Sequence, residues 1–103
     1  MADARELPES PMIQGQREIV IYEIDVTLYG GTPSVGGIQI TDMKTNLVVT
    51  STVMPSGSAT VVSGIVSLPP IRNLVSNRSY LVEMLVTVGS NTFDPFFRIE
   101  CRR

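Results

Sequence analysis

The sequence predicts an all-β fold: an antiparallel β-sandwich of about seven strands preceded by an extended N-terminal arm. Three observations predict it. Val, Ile and Thr number 13, 9 and 9, almost a third of the 103 residues. Such β-branched side chains are stiff at χ1 and pack well on a pleated surface. Eight Gly and seven Pro punctuate the chain between apolar runs, where turns are needed. The runs alternate with period two and recur roughly every ten residues, the spacing of an antiparallel sandwich with Greek-key connections.

The elements follow in order. Residues 1–16 read as the arm, because Pro8 and Pro11 disfavour helix and Gly15 offers a hinge. Its first half is charged (Asp3, Arg5, Glu6, Glu9), whereas Leu7, Met12 and Ile13 are apolar anchors without a local partner. Either this is a frayed terminus or it docks on a neighbouring subunit. Residues 17–103 form the sandwich domain. Its first strand spans 17–28, with Val20, Tyr22, Ile24, Val26 and Leu28 facing the core and Ile19, Ile21, Glu23, Asp25 and Thr27 facing out. A second strand covers 35–42, and Asp42 to Asn46 make a hairpin connection in which Asn46 suits a positive φ. The third covers 47–54. A short hairpin, 59–62 and 65–68, turns at Ser63-Gly64 and stops at Pro69-Pro70. In the strand over 80–88, Tyr80, Val82, Met84, Val86 and Val88 share one face. The last, 92–101, carries Phe93, Phe97, Ile99 and Cys101 on one face, and Pro95 demands an edge or a bulge there.

Composition also excludes function classes. One domain of this size has a single core. Eight basic against ten acidic residues give a net charge of −2, without the basic excess of a nucleic-acid binder. His is absent and Cys occurs once, which removes His-based catalysis and Cys/His zinc sites within one chain. No apolar run approaches the ~20 residues of a spanning helix, and the N-terminus shows no signal-peptide core. The expectation is therefore intracellular synthesis, no catalytic residues, no cofactor, no metal, and neither a membrane nor a small-molecule substrate as partner.

Several side chains still invite a chemical reading. Glu23 and Asp25 share a strand face, but the pair lacks a third ligand in sequence and reads as a solvated face. A serine nucleophile has only Lys44 to serve as base, from a hairpin turn. Cys101 reads as a small buried hydrophobe. Gly36-Gly37 reads as a bulge or a close backbone approach. More informative are apolar residues on faces that ought to be wet. Leu81, Leu85 and Phe96 are expected to share one outward patch, and Ile19 and Ile21 another. Such patches mark protein interfaces. The candidate interface is thus Leu7, Met12, Ile13, Ile19, Ile21, Leu81, Leu85 and Phe96.

Two resemblances narrow the expectation. Leu74 to Met84 resembles the tyrosine corner of immunoglobulin-like and fibronectin type III domains, in which a loop Leu precedes the Tyr by six positions. Leu74 and Tyr80 match, Ser76-Asn77 replaces the usual Pro-Gly, and the Trp and paired Cys of antibody domains are missing. The resemblance implies an immunoglobulin-like sandwich. Residues 9–101, through Ser10-Pro11-Met12-Ile13-Gln14-Gly15, Tyr22 to Val26, Thr50 to Ala59, and Phe93 with Phe96 to Cys101, are similar to small virion proteins of tailed bacteriophages. That likeness implies a structural adaptor of tail, neck or fibre, located in the virion, whose partners are copies of itself and other virion proteins. A capsid decoration protein and a carbohydrate- or cell-surface-binding module are the alternatives. The latter is disfavoured because Trp is absent and Tyr29 is the one loop tyrosine.

Overall fold

The structure, a computed structural model, describes residues 11–102, the Leu28 side chain excepted. Among them the chain forms β1 (Met12–Gln14), β2 (Glu23–Asp25), β3 (Ser34–Asp42), β4 (Leu47–Val48), a helical turn α1 (Thr50–Val53), β5 (Thr60–Val62), β6 (Ile65–Ser67), β7 (Ser79–Val88), β8 (Asn91–Phe93) and β9 (Phe96–Cys101), with a 3-10 turn at Thr27–Tyr29. One sheet runs β1-β9-β7-β3-β4, and β8 also pairs β7; the other runs β2-β6-β5. All pairings are antiparallel except β1 with β9.

The sheets pack face to face because each has one apolar side. Tyr80, Val82, Met84 and Val86 of β7 and Phe97, Ile99 and Cys101 of β9 are buried, as are Tyr22, Ile24, Val26 and Val66 from the second sheet and its lead-in. The Tyr22 and Phe97 rings meet across the core with centroids 5.4 Å apart. The period-two reading of 80–88 and of the inward face of 20–26 matches this burial.

Three expected strands are interrupted, each for a local reason. In 17–28 only Glu23–Asp25 is ladder; Val20 makes an isolated bridge to Ile71. The facing segment contains Pro69-Pro70, which have no N–H to donate. Leu68 N–H still reaches Tyr22 O at 2.9 Å, and Ile71 N–H reaches Val20 O at 2.9 Å beyond the gap. In 47–54 the ladder closes with the Val49 N–H bond to Ile40 O at 2.8 Å, because Thr50 Oγ1 takes the Ile40 N–H at 2.9 Å. The chain then turns helically to drive Val53, 1% exposed, into the core; burial overrides the β preference of Val and Thr. In 92–101 the ladder breaks at Asp94-Pro95. β8 and β9 nonetheless hold one register on β7, Phe93 opposite Val86 and Phe96 opposite Glu83. Pro95 O accepts the Met84 N–H at 3.2 Å, but proline returns no donor.

The arm expected over 1–16 is in part sheet. Met12–Gln14 pairs with Ile99, Glu100 and Cys101. Gln14 is fully buried: its Nε2 donates to Ile71 O at 2.8 Å and Glu18 O at 3.0 Å, and its Oε1 accepts the Tyr22 hydroxyl at 2.7 Å. With β1 and the break between β8 and β9, the described residues hold nine strands rather than about seven.

The hairpin turns follow the sequence. Asn46 adopts φ 59°, and Ser63-Gly64 adopts φ 52° and 77°, the conformation of a tight type I′ turn. Thr27 packs against the α-carbon of Gly64, so a side chain there collides with it.

Candidate functional site: an apolar face on the larger sheet

The outward side of the first sheet is set by the same alternation that builds the core. Leu81, Glu83 and Leu85 of β7 point away from it, as do Phe96, Arg98 and Glu100 of β9. Phe96 lies opposite Glu83 and Arg98 opposite Leu81. Phe96 is thus a diagonal neighbour of both Leu81 and Leu85, close enough for large side chains to touch. Leu85 is 46% exposed, and Leu81 and Phe96 are half-buried. The expected cluster of Leu81, Leu85 and Phe96 is brought together.

The face extends in two directions. Val48 joins Leu81's row through Thr41, and it is exposed. Ile13 stands opposite Glu100 at the β1 edge and is 60% exposed. Beside Leu85 the register of β3 shifts between Val35 and Ile38, a bulge containing Gly36-Gly37. Gly37, which has no side chain, lines an open hollow of about 280 Å³ together with Gln39, Leu85 and Asp94.

Other expected residues are placed differently. Met12 packs against the core instead of standing out. Ile19 and Ile21 are exposed, but on the lead-in to the second sheet, so they belong to a separate surface. That surface also presents Val62, 70% exposed, beside Ile65. Leu7 lies outside the described residues, as does the charged half of the arm. Sequence reasoning missed Val62, Leu47 and Val48. Apolar residues run consecutively at 47–49 and 61–62, so in a strand one of each pair had to face out. It also missed Gln14, which carries no sequence signal.

Tyr80 is 2% exposed and Leu74 3%. The Tyr80 hydroxyl oxygen accepts the Val75 N–H at 2.8 Å, which ties the entry of β7 to the loop before it. Burial raises the Tyr80 pKa. Beside it, buried Asp42 pairs with Arg78 at 2.7 Å and accepts the Lys44 N–H at 2.9 Å. Burial pushes this carboxyl up, yet the bonds from Arg78, Lys44 and Thr45 outweigh that and hold it below its ordinary 3.8. The pair is structural, closing the β3–β4 hairpin onto the start of β7.

Cys101 is buried, and burial followed by the nearby Glu18 carboxylate raises its thiol pKa, the opposite of what a reactive cysteine needs. Glu23 and Asp25 are exposed and locally engaged. Ser67 Oγ donates to Glu23 at 3.3 Å, while Thr27 Oγ1 and N–H bond Asp25 at 2.6 and 2.9 Å and lower its pKa. Among the described residues no group of three His, Cys, Asp or Glu is placed to hold a metal ion. No helix among them is long and apolar enough to cross a membrane.

The class defined by this geometry is an all-β sandwich whose larger sheet carries Leu81, Leu85 and Phe96 on its outer face among Glu83, Arg98 and Glu100. Comparison of the chain with protein-family models, with curated proteins and with solved structures finds no match.

Proposed function

We propose that this protein is a non-enzymatic structural subunit of a phage virion, an adaptor in a tail, neck or fibre attachment. It acts through its outer β surfaces and its N-terminal segment, on copies of itself and on other virion proteins. The observation that carries the reading is the patch of Leu81, Leu85 and Phe96 beside the hollow at Gly37. Contiguous exposed apolar area costs solubility and marks an interface in soluble proteins. The resemblance of residues 9–101 to small virion proteins supplies the setting.

An immunoglobulin-like topology is part of the proposal. The order β9-β7-β3 against β2-β6-β5 supports it, since it follows the G-F-C and B-E-D orders of that fold. The Tyr80 bond to Val75 is a second support. The carbohydrate-binding alternative gains nothing from Tyr29, whose ring stacks on Phe93 at 4.3 Å and 6° and so commits one face.

The test is solution mass by light scattering on the full chain and on Leu85→Asp. The parent is expected to associate with rising concentration and the variant to remain monomeric with an unchanged circular-dichroism spectrum. Equal masses for the two overturn the patch as the self-association surface.

A further inference from the structure

We infer that the tip of the β3–β4 hairpin, Met43-Lys44, seats in the hollow at Gly37 on the outer sheet face of a second copy of this chain. The inference rests on the reading of that face as a contact between copies, and it names the segment that meets it.

The hollow has a chemistry of its own. Its walls include two carboxylates, Glu83 and Asp94, with Gln39 and the apolar Leu85. Gln39 stands directly opposite Glu83 on the neighbouring strand. Among the described residues neither carboxylate meets a cation; the ion pairs there join Arg78 to Asp42 and Arg102 to Glu100. Two carboxylates beside apolar surface call for a cation carried next to an apolar side chain, the pairing of opposite potentials that selects partners across an interface.

The hairpin tip carries that combination. Met43 is 43% exposed, and Lys44 beside it is exposed as well. The Lys44 ammonium makes no ion pair among the described residues. The tip is also preordered. The Asp42 carboxylate accepts the Lys44 N–H at 2.9 Å, and Asp42 O accepts the Asn46 N–H at 2.7 Å. A projection already held in shape loses little freedom on docking.

The sheet register assigns tip and hollow to different copies. Asp42, where the hairpin leaves β3, stands opposite Tyr80 near the start of β7. β3 is antiparallel to β7, so the turn after Asp42 lies beyond that start. Glu83 and Leu85 lie the other way along β7, about 10 and 17 Å from Tyr80 at the rise of a strand. Tip and hollow are different surfaces of one chain, so the contact is heterologous. A heterologous contact continues into a ring or an open stack instead of stopping at a pair.

Charge exchange tests this, read as solution mass against concentration. Lys44→Glu and Glu83→Lys/Asp94→Lys are each expected to associate about tenfold or more weakly than the parent, because like charges then face one another. Mixed one to one, they are expected to regain the parent's association, since the reversed tip of one meets the reversed hollow of the other. A mixture no heavier than its parts overturns the inference. Gly37→Gln leaves the charge untouched. A β-carbon at Gly37 meets nothing within 4 Å, so this variant is expected to keep the parent's circular-dichroism spectrum and to associate about as weakly as Lys44→Glu. Parent-like association of folded Gly37→Gln overturns the inference, as does a parent whose mass stops at a dimer. A parent monomeric at every concentration overturns the face as a contact and this inference with it. An associating parent matched by Lys44→Glu overturns this inference alone.

Discussion

Replacing Gln14 by leucine isolates the bond set that holds the N-terminal strand to the second sheet. Leucine keeps nearly the same volume but removes two donated bonds and one accepted bond. Ile71 O loses little, since it also accepts the Val20 N–H at 3.1 Å, and Glu18 is exposed enough for water to reach its carbonyl. The Tyr22 hydroxyl is the group stranded, in a residue 8% exposed. A buried hydroxyl without a partner costs about 1–3 kcal/mol. The expected loss is about 2 kcal/mol, or a Tm lower by about 10 °C for a domain of this size. Tyr22→Phe strands Gln14 Oε1 instead, at about 1–2 kcal/mol. Removing both partners costs less than the sum of the two by about 1 kcal/mol or more, because nothing is then left unpaired. Urea unfolding followed by circular dichroism measures all three. A Gln14→Leu protein within about 0.5 kcal/mol of the parent, or additive losses, refutes the reasoning.

Two further predictions concern pH and charge. Asp42→Asn is expected to cost about 1–2 kcal/mol at neutral pH. Because the folded-state pKa of Asp42 is depressed, its contribution is complete above the ordinary 3.8 and fades as pH falls through the folded value. The variant should therefore show a flatter acid limb in Tm against pH, and parallel limbs would refute the assignment. Tyr22 is pushed up to about 12 by burial, by Glu18 and by Cys101. Its folded pKa lies above the unfolded 10.0, so its contribution is complete below pH 10 and is lost as pH rises toward 12. Tyr22→Phe should lose less stability than the parent over that window, and an equal loss in both would contradict the shift.

Much of the fold was legible because it rests on local alternation. The strand over 80–88 shows an uninterrupted two-residue period, and one face of it is core. The turn residues Asn46, Ser63 and Gly64 declare their backbone needs by type. The outward trio of Leu81, Leu85 and Phe96 follows from alternation plus the adjacency of two strands. What escaped depends on partners distant in sequence. The gap opposite Pro69-Pro70 is visible only once residues 65–71 are known to face 20–25. The helical turn at Thr50–Val53 defies local β preference because Val53 fills the core. Gln14 looks like a solvated residue in an arm until Tyr22 and Ile71 are seen to converge on it.

The most direct test of the account is the concentration dependence of mass, by light scattering, of the full chain beside Leu81→Asp and Leu85→Asp. The parent is expected to associate and both variants to stay folded and monomeric, since either carboxylate places charge beside the apolar patch. A parent that stays monomeric at every concentration, with variants indistinguishable from it, would contradict self-assembly through this face.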